Sequence, residues 1–225
     1  MTTSRTIPIA IVIGGLIVAG AVYFSSSSHL FQTSQSEGDP SLIRPVSAAD
    51  HILGNPTAPI KIVTYSDFDC DYCKEFHGVM QRIIADRGAD GKVAWVMREF
   101  PLTEIHTNAL THAEAAECVA KTAGNNAFFL FTEKLFANQP ANPNMYGSYA
   151  ADAGAPSAAF SDCYTKAAAT VDPTIMTDRK NALDMGAKGT PFSIMLVNGK
   201  APIVMDGGYT YDAVMYLIDQ QPVSR

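Results

Sequence analysis

The chain has 225 residues, 47% of them hydrophobic and 17% charged, with a formal net charge of −6. That is a globular composition, sufficient for one domain of up to about 180 residues plus an extension, and a domain of that size buries about 70% of its unfolded surface without needing staples. The acidic balance and the lack of any Lys/Arg cluster argue against a nucleic-acid partner, because no phosphate-tracking stripe is present.

In chain order, Met1 to Arg5 carries Arg5 beside the terminal amine. Ile7 to Phe24 then runs for about 18 residues without a charge, near the lower limit for a bilayer-spanning helix. The positive flank precedes this run, so residues 1–6 stay in the cytoplasm and the remainder is exported. Residues 1–24 therefore read as a signal-anchor. A cleaved signal peptide is the alternative, since Ala19-Gly20-Ala21 has the small-x-small form of a cleavage site. Both readings place the domain outside the cytoplasm, in a periplasm or at a cell surface, with the membrane held through residues 7–24 in the first. Residues 25–48, rich in Ser, Gln, Gly and Pro, read as a flexible linker.

The folded part is expected over 49–221. Ile60 to Tyr65 is β-branched and aromatic, hence a strand. From Cys70 to about Arg87 the residues Phe76, Val79, Met80, Ile83 and Ile84 recur at helical spacing. Val93 to Phe100 is a second strand, and the strand–helix–strand run makes a right-handed unit with parallel strands. Residues 104–186 form an all-helical block, with segments at Ala109–Lys121, Asn126–Phe136, Met145–Ala153, Ser157–Ala169 and Asp172–Gly186. Phe192 to Val197 and Pro202 to Met205 flank Asn198-Gly199, a type I′ hairpin signal. A last helix spans about Thr210 to Gln220. The fold class is α/β: a central mixed sheet flanked by helices, with the helical block inserted as a cap.

The four cysteines are Cys70, Cys73, Cys118 and Cys163. Cys70 and Cys73 form a Cys-x-x-Cys pair directly after a strand and at the opening of a helix. The first turn of a helix has unpaired N–H groups and a positive dipole end, which stabilise a thiolate. Cys70 is thus the nucleophile, and Cys73, on the same face, resolves the mixed disulfide. Asp67, Asp69 and Asp71 lie close to Cys70 in sequence, and carboxylates there raise a thiol pKa, while Lys74 and the helix terminus lower it. The competing reading is metal binding through Cys70, Cys73 and His77. It lacks a fourth ligand at a characteristic spacing, so no metal and no cofactor are expected. His106 and His112 read as surface or capping residues without a role.

Four landmarks fall in order around the helical block: Asp50-His51-Ile52-Leu53-Gly54-Asn55-Pro56, TYSDFDCDYCKEF at 64–76, Arg98-Glu99-Phe100-Pro101-Leu102, and Gly189-Thr190-Pro191-Phe192. Over residues 48–221 the sequence resembles the DsbA-type thiol–disulfide oxidoreductases, and most of all their membrane- or lipid-anchored thioredoxin-like bacterial branch. The resemblance implies a thioredoxin fold with a helical insertion, a cis-Pro191 beside the redox pair, and Thr190 offering its backbone to substrate. It also implies a second, structural disulfide between Cys118 and Cys163, against the alternative of two buried free thiols. Asp71-Tyr72 stands where strongly oxidising members carry a Pro-containing pair, so Asp71 and Tyr72 are expected to modulate the site. Thr64 stands where some members bury a proton-shuttling glutamate. The implied activity is disulfide formation or exchange in exported proteins. The implied partners are unfolded or cysteine-containing clients and a membrane or soluble redox partner that resets the pair. A reductase or isomerase role, and a chaperone-like peptide-binding module without turnover, are the alternatives.

Overall fold

The structure is a computed structural model that describes residues 38–167 and 169–222. The expected anchor at 7–24 lies outside these residues. Among the described residues no helix is long and apolar enough to cross a membrane.

Five strands form one sheet: β1 (His51–Gly54), β2 (Ile60–Ser66), β3 (Val93–Glu99), β4 (Phe192–Val197) and β5 (Ile203–Asp206). Their order is β1-β3-β2-β4-β5. β2 and β3 are parallel, with Ile60 opposite Val93 and Ser66 opposite Glu99. β1 pairs antiparallel to β3, β4 to β2, and β5 to β4. Parallel neighbours need a crossover, and the helix α1 (Asp71–Arg87) supplies it between β2 and β3.

Side chains alternate across the sheet. Ile60 and Ile62 of β2, Val93, Trp95 and Met97 of β3, and Met195 and Val197 of β4 share one core. Phe76, Met80 and Ile83 of α1 fill it, together with Val214 and Ile218 of the last helix, α7 (Tyr211–Asp219). The intervening positions Val63, Tyr65, Val96, Phe192 and Ile194 face the other way and pack on Ala182 and Met185. Ala182 belongs to α6 (Pro173–Asp184), so α6 covers the face opposite α1.

Between β3 and α6 lie α2 (Ala109–Ala123), α3 (Asn125–Ala137), α4 (Tyr146–Asp152) and α5 (Ser157–Ala167). They enclose an aromatic interior of Phe128, Phe131, Tyr146, Tyr149 and Phe160 that is continuous with the α1 core. Cys118 of α2 and Cys163 of α5 are joined in a disulfide.

Three features depart from the sequence expectations. First, β1 was not anticipated; it is a four-residue edge strand, too short to show alternation. Second, residues 38–48, expected within the flexible linker, lie against the domain. Asp39 N–H donates to Asp184 O, Arg44 N–H to Asn181 Oδ1, and Asn181 Nδ2 to Leu42 O. The strap ends in a buried ion cluster: Arg98 Nε and Arg44 both reach Asp50 Oδ1 at 2.8 Å, and Arg98 also donates to Tyr65 Oη at 2.8 Å. Burial works to raise the Asp50 pKa, but the two guanidinium groups hold it below the usual range. Third, the β4–β5 turn is not type I′. Lys200 N–H donates to Val197 O, and of the two central residues Gly199 alone has positive φ, at 74°. Type I′ needs positive φ at both, and this loop runs over 198–202 instead of two residues.

Candidate redox site

Cys70 is the N-cap of α1, with extended backbone (φ −84°, ψ 121°), and its carbonyl accepts the Lys74 N–H. Its side chain thereby sits over the unpaired N–H groups of the first helical turn. Its sulfur is 3.4 Å from Thr190 O. Thr190–Pro191 is a cis peptide, and Gly207 N–H donates to Pro191 O at 3.0 Å. Cys73 is fully buried behind Cys70, with its sulfur 3.5 Å from Asp67 N–H.

Both cysteines are thiols here, and their environments push them apart. The Cys70 pKa is lowered to about 6. The largest cause is the hydrogen bond from Cys73; burial opposes it; Thr190 and the N–H groups of Cys73 and Tyr72 reinforce it. The buried Thr190 hydroxyl has no other partner, so it is free to donate to an ionised sulfur. Cys73 moves the other way, pushed well up by burial and by the neighbouring Cys70. One sulfur is therefore held as thiolate and the other as thiol.

Asp71 and Tyr72 are exposed at the rim of the site, with Tyr72 67% exposed. Thr64 is a buried hydrogen-bond acceptor for Trp95 Nε1 (3.2 Å) and Ser193 Oγ (3.1 Å). His77 is buried against Trp95 and Phe136, and neither ring nitrogen has a partner. Among the described residues no group of three or more His, Cys, Asp or Glu could hold a metal ion.

The two histidines read from sequence as without a role are both tied to the loop before Cys70. His106 Nδ1 lies 3.0 Å from Asp67 Oδ2, which also accepts Leu102 N–H at 2.6 Å. His112 Nε2 lies 3.0 Å from Asp69 Oδ1, and its Nδ1 bonds Tyr146 Oη. Burial works to lower His106, but the Asp67 bond and the charges of Asp67, Asp69 and Cys70 outweigh it and raise its pKa. Burial dominates at His112 and lowers it despite Asp69. These pairs span 39 and 43 residues of sequence, so no local signal marks them. A second group that sequence reading missed is Glu99. It is buried with Oε1 unpartnered and pushed well above the carboxylate range by burial, then by Glu117, Asp178, Asp67 and Asp172. Trp95 meets His77 of α1 edge-on, so by alternation Glu99 faces the α1 side of the sheet, beside Ser66.

A family model described as thioredoxin matches residues 47–220, and the chain belongs to the thioredoxin family. Within that family its fold is the one seen in DsbA structures. It superposes on Wolbachia pipientis alpha-DsbA1 with a TM-score of 0.67 at 23% identity, covering 81% of this chain and 94% of that one. Oxidised BdbD from Bacillus subtilis gives 0.63 at 24% identity, covering 79% and 95%. Pseudomonas aeruginosa DsbA2 gives 0.63 at 22%, covering 78% and 96%. In sequence, the chain is 29% identical over 194 residues to a protein named Na(+)/H(+) antiporter NhaA 1 from Mycolicibacterium gilvum. That match covers 83% of this chain but 30% of the relative's length. A Salinispora tropica protein named NhaA 3 is 36% identical over 105 residues, 46% of this chain and 15% of its own length.

Proposed function

We propose that this chain is a thiol–disulfide oxidoreductase that introduces or exchanges disulfides in exported proteins, with Cys70 as nucleophile and Cys73 as resolving residue. The observation that carries the reading is the split between the two sulfurs, with Cys70 lowered to about 6 and Cys73 pushed well up. In the oxidising direction a client thiolate attacks Cys70 Sγ, the Cys70–Cys73 bond breaks, and Cys73 leaves with the electron pair. Its burial then favours protonation to the thiol. A second client thiolate attacks the client sulfur of the mixed disulfide and expels Cys70 as a thiolate. The client loses two electrons and the enzyme pair gains them. Stabilising the Cys70 thiolate stabilises the reduced enzyme, which makes its disulfide a stronger oxidant. That favours the donor direction over a reductase or isomerase.

The client surface is assigned to Thr190 and Pro191, with Asp71 and Tyr72 at its rim. Strand pairing between β2 and β4 stops at Phe192, so an extended client can add its backbone beside Thr190, a binding mode tolerant of side chains. The chain layout proposed with this function is a signal-anchor or signal peptide over 1–24, a linker from 25, and the redox domain to 221 with a helical insertion within 104–186. The location proposed is outside the cytoplasm, at the membrane, where a membrane or soluble partner resets the pair. The likeness to proteins named antiporters covers less than a third of their length, and no ion transport is proposed.

The test is turnover of a peptide dithiol with glutathione disulfide as terminal oxidant. The wild-type chain should accelerate peptide disulfide formation, Cys70→Ser should abolish the acceleration, and Cys73→Ser, given a disulfide-bonded peptide instead, should accumulate a client mixed disulfide at Cys70 because no resolving thiol remains. Full activity in Cys70→Ser would contradict the assignment, and a wild-type chain that binds the peptide without accelerating its oxidation would favour a peptide-binding module.

A further inference from the structure

The segment Asp67-Phe68-Asp69-Cys70-Asp71 places three carboxylates around one nucleophilic sulfur. On charge alone this works against a thiolate, yet the site lowers the Cys70 pKa. Where the carboxylates point resolves the conflict. Asp71 is exposed to solvent. Asp67 is fully buried and saturated: Oδ1 accepts Asp69 N–H at 2.7 Å, and Oδ2 accepts Leu102 N–H and meets His106 Nδ1. Asp69 turns to His112, which is wholly buried on α2. The proton order there is fixed by the partners. A carboxylate only accepts, so His112 Nε2 carries the hydrogen, its Nδ1 is the acceptor, and Tyr146 on α4 donates to it.

We propose that His106 and His112 are positioning residues for the redox reaction: they hold the Asp67 and Asp69 carboxylates toward the helical insertion and away from Cys70, so that an acidic loop can carry a reactive thiolate. The inference rests on the function assigned above to Cys70. The two histidines act differently. His106 sits where Asp67 and Asp69 on the β2–α1 loop and Cys70 at the start of α1 all favour its cation, so it sets a positive charge against three negative groups. His112 is buried and acts as a neutral donor. It faces Asp69 and Asp67 from the loop and Tyr146 from α4, and Tyr146 in turn feels Tyr164 of α5 and Glu114 of α2. The helical insertion is thereby part of the redox machinery as well as a cover for the core.

The experiment is the rate of Cys70 alkylation by iodoacetamide between pH 5 and 8 on the full chain with only the Cys70–Cys73 pair reduced, together with peptide turnover. Cys118 and Cys163 are bonded, and Cys73 is more deeply buried than Cys70 (1% against 7% exposed) and held as the thiol, so alkylation reports Cys70. His106→Gln should lower the rate at pH 6 about threefold, the size expected for removing a partly solvated charge near a thiolate. His112→Gln should lower it by a similar factor, and Asp69→Asn added to His112→Gln should restore it. A purely structural role for His112 predicts no such restoration. His106 is only half-buried on a loop, so its variant keeps the question open to a clear answer if the buried His112 variant does not fold. An unchanged alkylation rate in folded His106→Gln overturns the proposal while leaving wild-type turnover, and hence the assigned function, intact. A wild-type Cys70 that neither ionises below pH 8 nor turns over substrate would instead remove the function itself.

Discussion

At the scale of single residues, the site is a set of buried titratable groups whose environments differ over short distances. Cys70 and Cys73 are the pair that chemistry uses. His77, one turn beyond Cys73 on α1, is the instructive counterexample. It is held between Trp95 (ring centroids 5.0 Å apart) and Phe136 (4.7 Å), with both nitrogens unpartnered, and burial lowers its pKa to about 4. A histidine depressed this far contributes stability above its unfolded pKa of about 6.5. That contribution is lost as pH falls from about 6.5 toward 4, by up to about 3 kcal/mol. His77→Phe should therefore leave the active pair in place, raise stability by about 1–2 kcal/mol at pH 7 by removing two unsatisfied polar atoms, and flatten the acid limb. Urea unfolding at pH 7 and pH 5 checks this, and a variant less stable than wild type at pH 5 would contradict it. His106 carries the opposite sign. Its raised pKa adds stability below about pH 6.5 that fades as pH rises through the folded value.

At the scale of elements, the parts legible in sequence were those with local signals. α1 opens at Cys70 because the strand ends in Ser66-Asp67 and the apolar residues then follow helical spacing; the structure has Cys70 as N-cap and Asp71–Arg87 as helix. The five helical segments between β3 and β4 were legible for the same reason. The strap over 38–48 was not, because its composition is that of a linker and its contacts are with α6, about 140 residues away in sequence. It is held by Gly38 lying against Gly186. A Cβ on Gly38 would come within 1.9 Å of Gly186 N and 2.0 Å of Met185 C, both backbone atoms. Gly186 precedes Thr190 by a short loop, so the strap and the client loop share a foundation. Gly38→Ala should displace the strap and cost about 1–3 kcal/mol in chemical denaturation, with faster hydrogen exchange at Arg44 N–H. Unchanged stability and exchange would contradict the strap packing.

At the scale of the whole molecule, a five-stranded sheet is covered on one face by α1, α7 and the helical insertion, and on the other by α6 and the strap. Apart from β1, the succession of strands and helices along the chain followed from sequence pattern and connection rules. The pairs Asp67–His106 and Asp69–His112 did not, since they join segments 39 and 43 residues apart, and Thr190 near Cys70, 120 residues away, was implied only by the family resemblance. The Cys118–Cys163 disulfide closes a separation of 45 residues within the insertion. In the chain-entropy picture it contributes about 4 kcal/mol. A Cys118→Ser, Cys163→Ser chain should lose stability on that order by thermal unfolding under oxidising conditions. An unchanged midpoint would show that the insertion is held by its aromatic core alone.

The central claim is that Cys70–Cys73 is a redox pair poised toward oxidation by a stabilised Cys70 thiolate. Its most direct test is the equilibrium reduction potential of that pair, titrated against glutathione at pH 7. A Cys70 lowered to about 6 predicts a value less negative than about −200 mV, on the oxidising side of the glutaredoxin range. A value at or below about −270 mV, the level of thioredoxin, would contradict the account and identify the chain as a reductant.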